Sequence, residues 1–275
     1  MRELEVDRLF STQSLSVRHV RCAGRHRHRG AEEYSSGTHL VFPYRGVYTR
    51  QVARELAVAD ANHVLFFNAT EGYRISHPID GGDRSLVVAI SEEFLRELAP
   101  ASILISSGTL RFRDQHRRID PPAQALVAVL RHSLMNGAVE GLAAETQLLT
   151  LISHSIGSRT PCGLRATYAR RNMVDRVKLL LLGDLSRRWT LAEIGAEMRA
   201  SPVYLTQLFR QVEGIPLYRY HLRLRLARAL DLVPRYEDLA ALALDLGFSS
   251  HAHFTSAFRK AYRRTPSEFQ RSATR

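Results

Sequence analysis

Gly247-Phe248-Ser249-Ser250-His251-Ala252-His253-Phe254 is the stretch that decides the fold of the second half of the chain. The glycine stops an apolar segment, Asp238–Leu246, and Ser249-Ser250 then caps a new helix that continues to Tyr262. Phe254, Ala257 and Phe258 repeat at helical spacing on one side of that helix, which leaves the opposite side free. A short helix, a tight turn and a longer helix with one free face form a helix-turn-helix unit, whose second helix can enter a DNA major groove. Just beyond it, Thr265-Pro266-Ser267-Glu268 is a capping box for one last short helix.

Working back along the chain, the same plan recurs. Thr190-Leu191-Ala192-Glu193 is a capping box that opens a helix to Met198, and Arg199-Ala200-Ser201 turns into Pro202–Glu213. Leu205, Leu208, Phe209 and Val212 mark the buried face of this second helix, which Gly214 ends. Between the two units the spacing predicts a helix from Pro216 to Val233, stopped by Pro234. Its 18 residues would span about 27 Å. A spacer of that length can hold two recognition helices about one DNA turn, ~34 Å, apart on one face. A further helix, Arg171–Leu182, closed by Gly183, precedes both units.

Leu191-Ala-Glu-Ile194, Ser201-Pro-Val-Tyr-Leu-Thr-Gln-Leu-Phe209, Gly247-Phe-Ser-Ser-His-Ala-His-Phe254, Phe258-Arg-Lys260 and Thr265-Pro-Ser-Glu-Phe269 together resemble the AraC/XylS family of transcription regulators. The resemblance covers roughly residues 170–272. It implies a sequence-specific, double-stranded-DNA-binding regulator and not an enzyme, with no cofactor. It also implies that Val203 and Gln207 read bases in the first unit, and His251, Ala252 and Ser256 in the second. Glutamine can pair bidentately with adenine, and valine can meet a thymine methyl. Arg210, Arg259 and Lys260, with the amide ends at Thr190 and Thr265, suit phosphate contacts. Tyr204 and His253 are expected to pack or hydrogen-bond within their own units. Arg199 and Arg263 stand where the family usually has glycine, so a left-handed backbone there would cost about 1 kcal/mol.

Charge agrees with a polyanion partner at the C-terminal end. Residues 1–160 hold 19 Arg against 17 acids, whereas 161–275 hold 20 Lys+Arg against 10. A basic excess of about +10 in one segment is the footprint of a nucleic-acid binder. The first residues carry no apolar signal-peptide core, and every apolar run, Leu179–Leu182 among them, is far too short to span a bilayer. Two cysteines, Cys22 and Cys162, supply neither a disulfide framework nor a Cys-rich zinc signature. A cytoplasmic protein is expected.

The first half reads differently. Leu15–Cys22, His39–Phe42, Gly46–Val52, His63–Phe67 and Ser85–Ile90 are short β-branched or aromatic runs broken by Pro43, Asn68, Gly72, Pro78 and Gly81-Gly82-Asp83. Close spacing of short strands predicts a barrel or jelly roll. Two helices, Pro122–Asn136 and Glu140–Ile156, then turn at Gly137 as a hairpin at 122–156. Leu126, Val129, Leu130 and Leu134 stripe the first; Leu142, Leu149, Ile152 and Ile156 stripe the second. Val127, Leu148 and Leu151 lie off these stripes and predict a homodimer through the hairpin. The fold class is thus α+β: a β-rich effector and dimerisation domain over 1–160 (strands in 1–95), a linker at 161–169, and an all-α DNA-binding domain over 170–275. Its helix-turn-helix units lie at 190–213 and 238–262.

Leu40-Val-Phe-Pro43, Gly46-Val-Tyr-Thr-Arg50, Leu65-Phe-Phe-Asn68 and Tyr73-Arg-Ile-Ser-His-Pro78 make this half similar to the cupin-like effector domains of the same family. That implies control by a small molecule, with RNA polymerase as a further partner. If the barrel encloses a pocket, Phe42, Tyr44, Phe66, Tyr73 and His77 are the candidates to line it. His26-Arg-His28 with Glu32 imitates a metal-cupin ligand spacing, which would make the chain a metal-dependent cupin enzyme fused to a DNA-binding module. Arg25, Arg27 and Arg29 put positive charge beside that cation, and Gly24 and Gly30 bracket a loop, so no metal is expected there. A nucleoid-type structural protein is the other alternative, and it would bind DNA without sequence preference.

Overall fold

The computed structural model describes residues 4–25, 27–28, 30–157 and 167–273. The chain divides into two compact units, Met1–Arg159 and Thr160–Arg275. Most of the linker expected at 161–169 lies outside the described residues.

In the first unit the apolar runs form β1 (Leu4–Ser11), β2 (Leu15–Cys22), β3 (Glu33–Tyr34), β4 (His39–Gly46), β5 (Tyr48–Val52), β6 (Glu55–Ala59), β7 (His63–Phe67), β8 (Gly72–Ser76) and β9 (Asp83–Ile90). Helix α1 (Glu92–Leu98), strands β10 (Leu104–Ser107), β11 (Thr109–Phe112) and β12 (His116–Arg118), and helices α2 (Pro121–Met135) and α3 (Gly141–Gly157) follow. One antiparallel sheet runs β1-β2-β9-β4-β7-β12, a second runs β3-β8-β5-β6, and β10-β11 is a separate pair. Among the described residues each sheet is open at its edges, so of the expected barrel or jelly roll it is the two-sheet form that appears, with a core shared between the sheets.

Period-two alternation explains the layering. Leu40, Phe42, Val64, Phe66, Leu86 and Val88 face one side of the six-stranded sheet, where they pack with Leu95, Val127, Leu130, Leu148, Leu151, Ile152 and Ile156 of the helices. Val41, Leu65, Phe67 and Val87 face the other, where they meet Tyr48, Ala59, Tyr73 and Ile75 of the second sheet. Strands buried on both faces read as unbroken apolar runs.

The hairpin forms, but its faces are turned from the expected ones. Val127, Leu148 and Leu151 are core residues, and Leu142 is 78% exposed. On α3 the buried line is Ala144, Leu148, Leu151, Ile152, Ser155 and Ile156. It includes an alanine and a serine, the latter donating to the Leu151 carbonyl at 2.7 Å. A search for large apolar residues passes over both. Leu148 and Leu151 are therefore not available to a second subunit.

The second unit holds α4 (Tyr168–Gly183), α5 (Leu191–Met198), α6 (Pro202–Glu213), α7 (Leu217–Leu232), α8 (Leu239–Asp245), α9 (His251–Tyr262) and α10 (Pro266–Ala273). The caps are those the sequence announces. Thr190 and Glu193 close a reciprocal capping box, and Ser201, Asp238 and Ser250 each accept an amide of the first turn. Helix α7 has 16 residues, hence about 24 Å. It is shorter than expected because Pro216 is the N-cap and Val233–Arg235 tightens into a 3-10 turn at Pro234.

Each half of this unit has its own core. Ile194, Met198, Leu205, Leu208, Phe209 and Val212 pack with Val174, Val177, Leu181 and Tyr220. In the other half the motif phenylalanines are the core: Phe248 stands 5.1 Å from Phe254, Phe254 5.7 Å from Phe258, and Phe258 6.0 Å from Phe269, between ring centroids.

Candidate nucleic-acid interface

Two arginines tie the loop before the first helix-turn-helix unit to the turn of the second. From α7, Arg225 donates to the carbonyls of Leu185, Ser186, Arg187 and Gly247 at 2.7–3.1 Å. Arg188 adds bonds to Gly247 and Phe248 at 3.2 and 2.7 Å. The loop before the first unit is thus pinned to the turn of the second. Gly247, at φ 79°, permits the contact, since a Cβ there would lie 2.0 Å from the Ser186 carbonyl oxygen. His221 joins through Leu185 at 3.1 Å. Burial, then the Arg225 charge, push its pKa down to about 4, so it is neutral at physiological pH.

On α6, Val203 is 67% exposed, and Gln207 and Arg210 project from the same exposed face. The i, i+4 and i+7 spacing aligns the three along the helix, opposite buried Leu205, Leu208 and Phe209. On α9, His251, Ala252, Ser256, Arg259, Lys260, Arg263 and Thr265 line one open groove of about 770 Å³. The structure therefore gathers all three base-reading candidates of this helix with both of its basic ones, and adds Arg263. His253 behaves as expected of an internal residue: it bonds Ser249 at 3.0 Å and meets the Phe248 ring edge-on. Tyr204 does not, being 44% exposed.

The amides of Thr190 and Thr265 are engaged within their own capping boxes. The Thr190 amide donates to Glu193 and the Thr265 amide to Glu268, each at 2.7 Å. Hydrogen bonds from Arg187 and Thr190 hold the Glu193 carboxyl down at about 2, and the Thr265 amide lowers that of Glu268. Each box occupies the N-cap and N3 amides with its own side chains and leaves the N1 and N2 positions to other partners.

In the first unit a cavity of about 540 Å³ opens against the inner face of the six-stranded sheet. Tyr73 and His77 line it; Phe42, Tyr44 and Phe66 do not. These three lie on the helix side, where Tyr44 bonds His19 at 2.6 Å and stacks under Arg131 at 4.0 Å, and Phe66 stacks on Phe112. Their neighbours in sequence, Val41 and Phe67, take the cavity positions, because adjacent strand residues point to opposite faces. His77 is 4% exposed and bonds Asp83 at 2.8 Å. Burial opposes its charge, but Asp83 and the Cys22 thiol outweigh that and push it up to about 9.

Among the described residues the metal-cupin spacing brings no ligand set together. His28 and Glu32 are exposed, Glu32 faces Arg74 at 3.8 Å, and His26 lies outside the described residues. His63 is engaged with Asp60 at 2.9 Å. No helix among the described residues is long and apolar enough to cross a membrane.

Two helix-turn-helix units in tandem, with free outer faces and basic rims, define a bipartite DNA-binding domain. The helix-turn-helix domain family matches residues 194–272. The HTH-type transcriptional regulator GadX of Escherichia coli O6:H1 is 29% identical over 156 residues, 56% of this chain and 57% of that protein. The chain is thus aligned with little more than half the length of that relative. The probable transcriptional regulator LumQ of Photobacterium leiognathi is 25% identical over 78% of this chain and 84% of its own. The structure of ToxT from Vibrio cholerae aligns over 94% of this chain and 99% of its own, at 14% identity and a TM-score of 0.37.

Proposed function

We propose that this chain is a cytoplasmic, sequence-specific transcription regulator in which residues 170–275 read DNA and residues 1–160 admit a small-molecule effector. The observation that carries the reading is the outer face of α6 and α9, where hydrogen-bonding and methyl-contacting side chains lie inside a frame of arginine and lysine. Val203, Gln207, His251, Ala252 and Ser256 contact base edges; Arg210, Arg259 and Lys260, with the helix ends at Thr190 and Thr265, hold phosphates. The effector enters the cavity beside Tyr73 and His77. Bound to a promoter, the protein acts on RNA polymerase. A homodimer belongs to the reading, resting now on Leu142 and Met135, the exposed large apolar residues of the hairpin; sedimentation as a monomer with and without DNA removes it. Selection of duplexes from a random pool by the full chain tests the whole. Recovery of a motif in two blocks about one helical turn apart, with log affinity falling by ~0.9 per phosphate contact against log salt, is expected. Recovery of unrelated duplexes with equal affinity would point to a nucleoid-type protein instead.

A further inference from the structure

Cys22 ends β2 and Asp83 begins β9, and the register of these strands sets them directly opposite one another. Cross-strand partners share a face and nearly touch. His77, just past β8, comes from the other sheet. What lets it approach is the turn before β9. Gly82, at φ 63°, runs so close to β2 that a Cβ on it would lie 2.0 Å from the Cys22 carbonyl oxygen. The result is a sulfur, an imidazole nitrogen and a carboxylate oxygen all within 4.8 Å of one another, on the wall of the cavity.

We propose that Cys22, His77 and Asp83 form a binding site for a borderline-soft divalent metal ion, with zinc the best fit, whose fourth position opens to the cavity. A donor set of one sulfur, one nitrogen and one oxygen suits zinc and not the hard cations magnesium or calcium, which take oxygen alone. Charge balances: a thiolate and a carboxylate neutralise a dication, leaving no net charge in a site where His77 and Asp83 are both buried. The metal takes the place of the proton that His77 Nε2 and Asp83 Oδ1 share at 2.8 Å, and a second proton leaves the thiol. Tetrahedral ligands stand roughly 3.3–3.8 Å apart at ordinary zinc distances, so the pair needs to open by about half an ångström. His77 can make that shift because its Nδ1 is buried without a hydrogen-bond partner to anchor it. Ser85 steadies the carboxylate from behind, donating to Asp83 Oδ2 at 3.1 Å.

The site owes nothing to the proposed regulation and is tested apart from it. Cobalt titrated into the full-length protein should give one saturating thiolate-to-cobalt charge-transfer band, and zinc should bleach it. Cys22→Ser should abolish the band, and Asp83→Asn should weaken zinc binding roughly tenfold or more against a chromophoric chelator. Cys162→Ala and Glu32→Ala should change neither. Where Cys22→Ser fails to fold by circular dichroism, the unmodified protein supplies the readout: zinc should protect Cys22 from iodoacetamide, as mapped by mass spectrometry. Absence of the band, its survival in Cys22→Ser, or alkylation of Cys22 at an unchanged rate with zinc present would each overturn the site.

Discussion

The two units put their polar chemistry in opposite places. In the second unit it is outside: the side chains offered to DNA are exposed, and buried charge is tied up locally, as Lys178 is by Glu213 and Asp175. In the first unit it is inside. Arg50 is buried between the Phe67 ring and Glu71, Arg131 lies over Tyr44, and His77 and Asp83 face a cavity. A surface that reads a rigid polyanion must keep its donors hydrated and ready, whereas a cavity that selects a small solute must desolvate it among fixed partners. On the proposed function, the difference separates a unit built to lie on its ligand from one built to enclose it.

The strongest way to break that contrast is to expose what the second unit hides. Lys178 is 2% accessible, and Lys178→Ala would take the ammonium from between the buried carboxylates of Glu213 and Asp175. A loss of about 3–5 kcal/mol is expected. Guanidinium unfolding followed by Trp189, the sole tryptophan, should report it. A midpoint that does not move would mean the ion pair is solvated. Next in size is the outer face itself. Gln207→Ala should relax preference at one base position by ~1–3 kcal/mol, while Arg210→Ala weakens all duplexes alike and lowers the salt slope by about 1. Identical profiles on a library of half-sites would mean that the face of α6 turned to DNA is another one.

A smaller effect comes from His221, buried on α7 against the loop that Arg225 pins. Its pKa lies near 4 folded and near 6.5 unfolded, so between those values the unfolded chain binds more protons. Stability must therefore fall as pH drops below about 6.5, by about 2 kcal/mol at pH 5. His221→Gln keeps a donor for the Leu185 carbonyl and should remove that share of the slope between pH 7 and pH 5. A slope equal to the parent's would assign the acid sensitivity elsewhere.

How far each unit could be read from sequence follows from the same contrast. Helix ends are written locally: Thr190 with Glu193, Ser201 with Pro202, and Ser250 before Phe254 each specify a boundary within four residues. A sheet is specified by pairings across the chain. Phe66 and Phe67 are indistinguishable in composition, yet one packs under helices and the other lines the cavity. Cys22 and Asp83 are 61 positions apart and meet only through the β2–β9 register. The His26-Arg-His28 pattern is legible because it is contiguous, but contiguity carries no information on which strands converge.

The least of the expected effects sharpens the comparison most, because it splits scaffold from surface within one motif. Arg199 ends α5 at φ 53°, ψ 45°, and Arg263 ends α9 at φ 60°, ψ 15°. Both backbones are left-handed, where a side chain costs about 1 kcal/mol relative to glycine. Glycine also gains freedom in the unfolded chain, so Arg199→Gly and Arg263→Gly should each stabilise by somewhat less, roughly 0.5–1 kcal/mol. In stability the two substitutions are twins. On DNA they should part. Arg199 belongs to the turn between α5 and α6, away from the α9 groove, and its loss should leave affinity unchanged. Arg263 lines that groove beside Arg259 and Lys260, and its loss should weaken every duplex and lower the salt slope by about 1. Thermal melts and salt titrations on the two variants decide the matter. Equal losses of affinity would make both turns part of the contact surface, and equal retention would remove the groove beside Arg263 from it.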